Sequence, residues 1–181
     1  MSHEDLPIHI PAGALVLLIG ASGSGKSTFA ARHVDPDAVV SSDRLRGVLT
    51  GDEADQQATD AAFGQLHQWL DARLAAGALA VVDATNVDWM RRAELVGRAR
   101  DRGRRAIAIV FDLPLDLCLA RNVSRQRSVR AAVIRRQHVE VRASLERLDL
   151  EGFSAVHLLR SEDEVERVAV EIEKGPVDRA L

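Results

Sequence analysis

An apolar run, ALVLLI (residues 14–19), leads at once into GASGSGKST (20–28), and this junction constrains the chain more than any other stretch. The run lacks polar alternation, so it reads as a strand covered on both faces. The glycine-rich stretch fits G-x-x-x-x-G-K-[ST], between a strand and a helix, where that pattern belongs. Gly20, Gly23 and Gly25 let the backbone curl. With Ser22 and Ser24 they present N–H groups to phosphate oxygens, and the helix N-terminus adds its positive dipole. Lys26 is placed to reach the β- and γ-phosphates, Ser27 to hold Mg²⁺ or Mn²⁺, and Thr28 to assist the phosphate contacts. ATP or another nucleoside triphosphate is the implied donor. The loop does not say where the γ-phosphate goes.

Four more apolar runs alternate with helical patterns. AVVSS (38–42), ALAVVDAT (78–85), RAIAIVF (105–111) and AVHLL (155–159) read as strands. Helices are expected over 26–33, 55–77, 89–103, 115–122, 131–148 and 161–173, the last opened by Ser161 and an acidic first turn. Alternation of this kind predicts a three-layer α/β fold, a central parallel sheet of about five strands flanked by helices. The 181 residues suit one domain, 1–181, and are too few for two ordinary ones. The tail, 174–181, is expected to be disordered or a cut end. Trp69, Trp89, Phe63 and Phe111 are expected in the core, as is an inert Cys118.

Composition excludes several classes. With 46% hydrophobic residues, disorder is not the default. No apolar run approaches ~18 residues, so neither a membrane span nor a membrane partner is expected. The N-terminus lacks the basic and apolar regions of a signal peptide. One cysteine cannot form an intrachain disulfide, which suits the cytoplasm. The net charge of −3 does not advertise a nucleic-acid binder, yet RNVSRQRSVRAAVIRR (121–136) holds six arginines and no acid. Alone, such a run is a solvated helix face. Near a triphosphate loop it reads as a lid, with Arg121, Arg125 and Arg127 spaced to converge on phosphates.

Two further stretches carry acids. In VVSSDRLRG (39–47), Asp43 lies just past the second strand, at the edge where doubly wound folds bind ligands. It could take the proton of an attacking hydroxyl, with Arg46 gripping a phosphate on the acceptor. Equally, it could cap a helix and pair with Arg46. In VVDATN (81–86), Asp83 ends a strand and could hold Mg²⁺, or could cap the next helix. Thr85 and Asn86 are plausible acceptor contacts.

Taken together, GASGSGKSTFA, VVSSDRLRG, DQQATDAAF, VVDATNV, IVFDLPLDLCLARN, VIRR and EGFSAVHLLRSEDEVE resemble the 5′-OH polynucleotide kinases of the P-loop phosphotransferases. The likeness is to the N-terminal kinase module of bacterial polynucleotide kinase-phosphatases. It implies that Lys26 and Ser27 bind phosphates and Mg²⁺, and that Asp43 is the general base for a 5′-hydroxyl. It implies that Arg46 grips the acceptor's terminal phosphate, and that Arg121 and Arg125 clamp the donor, Arg125 at the transition state. After Arg125 the lid reads QRSVR, a residue shorter than the family pattern, which leaves Arg127 open. The implied activity is transfer of the γ-phosphate to the 5′-OH end of RNA or DNA in end repair. Phosphatase and ligase domains of one longer polypeptide are the implied partners, this chain being either an excised domain or a stand-alone kinase. Two alternatives remain open. One is a small-molecule kinase of the gluconate or shikimate type; the other is a nucleotide-binding switch or ATPase.

Overall fold

A computed structural model describes residues 7–41, 57–123 and 128–174, the side chains of 57–62 excepted. In chain order the elements are β1 (Ile8–Ile10), β2 (Leu15–Gly20), α1 (Lys26–His33), β3 (Val39–Ser41) and α2 (Gln57–Ala75). Then come β4 (Ala80–Asp83), α3 (Trp89–Arg100), β5 (Ala106–Phe111), α4 (Leu115–Val123) and α5 (Ala131–Ser144). The chain ends with β6 (Ala155–Leu159), α6 (Glu162–Arg167) and β7 (Val170–Ile172). Five strands form one all-parallel sheet in the order β3-β4-β2-β5-β6. The expected α/β architecture is therefore present.

Every residue of β2, β4 and β5 is buried. Side chains alternate across a pleated strand, so each apolar run feeds two cores. Val16, Leu18, Val81, Ile107, Ile109 and Phe111 face one side, against Phe29 and Ala30 of α1 and Cys118 of α4. Leu15, Leu17, Ile19, Val82, Ala108 and Val110 face the other. There they meet Leu66, Leu70 and Leu74 of α2, Leu95 and Ala99 of α3, and Val141 of α5. Leu66, Leu70 and Leu74 recur every four residues, the rhythm that places them on one helical stripe.

Three expectations change. The helix expected over 161–173 stops at Arg167, and Val170–Ile172 is a strand pairing in parallel with Ile8–Ile10. V-E-I alternates like the I-H-I it meets, and β-branched residues favour extended backbone. Ser161 does cap the helix, accepting from the Glu164 N–H at 3.1 Å. The helix expected to reach 148 ends at Ser144, followed by a 3-10 turn at Leu148–Leu150. Trp89 is not core: it opens α3 behind the Asp88 cap and is 48% exposed, with the Arg147 guanidinium 5.3 Å from its ring. Phe111 and Cys118 are buried, and Trp69 and Phe63 pack at the core's margin.

His157 on β6 pairs in register with Ile109, and its Nε2 is buried without a hydrogen-bond partner. Burial, and then the charge of His9, hold its pKa below the usual histidine value. His33 and His67 are depressed in the same direction, chiefly by burial. The unfolded chain therefore binds more protons than the folded one once pH drops below about 6.5. Stability should be full above that value and fall as pH drops through the depressed folded values. Urea midpoints at neutral pH and at about pH 5.5 measure this, and His157→Gln should shrink the difference.

Candidate phosphoryl-transfer site

The parallel strands all point their C-terminal ends to one rim, and the loops there build the site. β2 ends at Gly20 and α1 begins at Lys26, so five residues make the turn. Gly23 and Gly25 adopt φ of 86° and 94°, a region that side chains rarely enter. A Cβ at Gly23 would lie 2.3 Å from the Cys118 carbonyl oxygen, so the backbone of α4 packs directly onto the loop. Gly25, as N-cap of α1, offers no capping side chain. A helix start of this kind, beneath a glycine loop, suits phosphate.

Lys26 is buried, and its ammonium donates to the Gly20 carbonyl at 2.9 Å, the Ala21 carbonyl at 2.8 Å and Ser24 Oγ at 3.2 Å. The charge is thereby held against the loop's own backbone. Ser27 and Thr28 are exposed at the start of α1. Ser22 N–H donates to Gln137 Oε1 of α5 at 2.9 Å, a contact sequence reasoning missed. The only hint was that Gln137 comes directly after the arginine run.

Asp83 is 7% exposed at the end of β4, level with Leu18 on one neighbouring strand and Ser41 on the other. It thus stands between the strand that carries the glycine loop and the strand that leads to Asp43. A hydroxyl and a carboxylate, as Ser27 and Asp83 carry, are the kinds of oxygen donor that Mg²⁺ accepts when phosphates and waters complete its shell. Among the described residues no group of three or more His, Cys, Asp or Glu could hold a metal alone. Thr85 lies two residues on, and its carbonyl accepts from Gly20 N–H at 3.0 Å. Asn86 has φ 48°, and its amide donates inward to the carbonyls of Leu18 at 2.8 Å and Val82 at 3.3 Å. That amide is spent on the backbone.

Arg121, in the last turn of α4, lies over the loop: a Cβ on Gly25 would be 3.3 Å from its Nη1. It is also ion-paired with Glu162 at the start of α6. A pocket of about 290 Å³ opens beside it, lined by Gly25, Thr28, Arg32, Arg121, Val165 and Glu166 among others. Cys118 lies behind the loop. Its thiol pKa is raised by burial, against the opposing charges of Lys26 and Arg121. The rim thus gathers Gly20 to Thr28, Asp83, Thr85, Asn86 and Arg121. Asp43, Arg46, Arg125 and Arg127 lie outside the described residues.

A strand-loop-helix phosphate cradle on a 3-4-2-5-6 parallel sheet, with an arginine closing over it, defines a P-loop kinase fold. The chain belongs to the AAA domain family (AAA_33), whose profile matches residues 15–148. No curated protein sequence matches it significantly. Among solved structures, a chain of the Pnkp1/Rnl/Hen1 RNA repair complex is similar, at TM-score 0.67 and 23% identity, over 82% of this chain and 49% of that one. The present chain therefore spans about half of that relative. A gluconokinase from Sinorhizobium meliloti 1021 superposes at TM-score 0.56 and 14% identity, over 87% of this chain and 88% of that one. A sugar kinase from Janibacter sp. HTCC2649 gives TM-score 0.57 and 20% identity, with 85% and 91% covered. These likenesses are of fold. Among the described residues no helix is long and apolar enough to cross a membrane.

Gly23→Ala combines a forbidden φ with a clash against backbone, so the loop must move away from α4. The expected result is an ATP dissociation constant raised about 10-fold or more, since strain of this kind costs ~1–3 kcal/mol. Isothermal titration with ATP and Mg²⁺ checks it; undiminished affinity would remove the loop from phosphate binding.

Proposed function

We propose that the protein is a kinase that transfers the γ-phosphate of ATP, or another nucleoside triphosphate, to the 5′-OH end of RNA or DNA. The carrying observation is the register that sets Asp83 level with both Leu18 and Ser41. It puts the phosphate loop, a carboxylate and the exit of β3 side by side, and Asp43 comes two residues after that exit. The likeness to a chain of an RNA repair complex agrees with this acceptor.

In this reading the nucleoside enters the pocket between α1, α4 and α6, and the loop N–H groups hold the β-phosphate. Lys26 turns from the loop carbonyls to the β- and γ-phosphate oxygens. Ser27 and Asp83 would hold Mg²⁺, which would supply positive charge to those oxygens. Asp43 accepts the proton of the 5′-hydroxyl as its oxygen bonds to the γ-phosphorus. The bond from that phosphorus to the bridging oxygen breaks in line, and the nucleoside diphosphate leaves. Arg121 and Arg125 neutralise the migrating group, with Arg127 on the same segment, while Arg46 fixes the acceptor's phosphate and Thr85 lines its path. Arg121 must exchange Glu162 for phosphate as the donor binds. Residues 1–181 act as one cytoplasmic kinase domain with its lid at 121–136, beside phosphatase and ligase activities that complete an end repair.

A second reading has its own support. The gluconokinase superposes over 88% of its length, and in this reading the acceptor would be a sugar acid held by Arg46. Transfer of ³²P from γ-labelled ATP separates the two, with 5′-OH RNA, 5′-OH DNA and gluconate offered in parallel. Label on an oligonucleotide is expected. Asp43→Ala should lower it by about 10²- to 10⁴-fold, the range for a lost general base. Arg125→Ala should lower it by roughly 10²-fold. Label on gluconate alone would transfer the assignment to the second reading.

A further inference from the structure

Arg92 is the largest fully buried side chain in the described structure, at 1% exposed, and none of the roles assigned to the rim uses it. Its guanidinium divides its donors between two targets. Nε and Nη2 grip the Glu151 carboxylate at 2.7 and 2.6 Å, a bidentate fork. Nη1 donates to two successive carbonyls, Asn86 at 2.8 Å and Val87 at 2.9 Å. Those carbonyls belong to the loop just after Asp83. On its inner side the same loop is tied to β2, by Gly20 N–H to the Thr85 carbonyl and by the Asn86 amide to Leu18. Between the two ties, Asn86 sits at φ 48°, a conformation that persists only where surroundings hold it.

We propose that Arg92, seated by Glu151, is a positioning residue that presses the 83–87 loop against the phosphate loop, holding Asp83 and Thr85 in register with Gly20. The consequence for catalysis rests on the reading of this loop as the acceptor side of a phosphoryl-transfer site. Glu151 lies just past the 3-10 turn at Leu148–Leu150, on the segment that descends from α5. Higher on α5, Gln137 holds Ser22 N–H. One segment therefore braces both halves of the rim, the phosphate loop through Gln137 and the acceptor loop through Glu151 and Arg92. Lysine could not serve at position 92. It has no planar fork to hold a carboxylate while reaching two carbonyls.

A buried ion pair can be merely a stability element, so the test must separate the two. Replacing both partners by apolar side chains of similar volume leaves no unpaired charge and is commonly tolerated. The double variant Arg92→Met, Glu151→Leu is therefore compared with wild type and with Glu151→Gln, whose amide oxygen still accepts from the guanidinium. Three quantities are read: the thermal transition, the kinetics of transfer to a 5′-OH oligonucleotide, and the hydrogen-exchange rate of the Gly20 amide. The double variant should keep a cooperative transition and an ATP KM within about twofold of wild type. Its kcat should fall by on the order of 10- to 100-fold, as misplaced groups cost. Gly20 exchange should quicken about 10-fold or more while that of Leu17 in the same strand does not. Glu151→Gln, which keeps one acceptor for the fork but turns an amide NH₂ toward the other donor, should lie between wild type and the double variant in kcat and in Gly20 exchange. Wild-type kcat or wild-type Gly20 exchange in the double variant overturns the proposal. If the double variant loses its cooperative transition, Arg92→Lys takes its place with the same expectations. If wild type labels no 5′-OH end, the acceptor reading falls by itself, and Gly20 exchange still decides whether the clamp exists.

Discussion

The rim that carries the chemistry depends on β2 being buried on both faces. A strand in the middle of a parallel sheet has neighbours on each edge and a helical layer on each face, so its end is held from every side. Gly20 is that end. From it the phosphate loop turns one way, and through the hydrogen bond from its N–H to Thr85 the 83–87 loop is tied on the other. Burial of Leu15, Leu17 and Leu18, at ~1.5–3 kcal/mol for each side chain, underwrites a loop whose own left-handed glycines contribute nothing to packing.

The same constraint explains what could be read from sequence. The apolar run, the glycine loop and the helix behind it are local: each residue's role is set by its neighbours within a turn. So are Asp83 at a strand end and Arg121 at a helix end, which a parallel sheet must bring to the same rim. The unread parts are held by contacts far apart in sequence. β1 and β7 are three residues each and pair with one another across the whole chain, so neither has a period long enough to detect. Arg92 looks like any surface arginine on a helix rich in them. Only its partner 59 residues away shows that it is buried. Trp89 looks apolar enough for the core, but the Asp88 cap starts the helix with that residue facing outward.

Electrostatics divides the rim in a similar way. Lys26 is satisfied by loop carbonyls and Arg121 by Glu162. Both cations are thus positioned by weak acceptors or by an exposed carboxylate, which a triphosphate outcompetes with more charge and more oxygens. The cations are kept in place without being locked away. Cys118 is buried on the underside of the loop, and that burial raises its thiol pKa despite both charges.

The two halves of the rim differ in how they are fixed, and that difference bears on function. The phosphate loop is set largely by main chain, α4 backbone against Gly23 and Gly25 at the head of α1, with the Lys26 and Gln137 side chains added to it. The 83–87 loop, read above as the acceptor side, hangs more on side chains: the Asn86 amide, the Arg92 fork and the Glu151 carboxylate. Substitution can reshape it and leave the triphosphate cradle intact. A sugar kinase and a chain of an RNA repair complex share this fold, so the fold by itself does not name an acceptor. In this chain the side-chain half is buttressed by an arginine with four donors engaged and almost no exposure, a rigidity that suits placing a hydroxyl in line with a phosphorus.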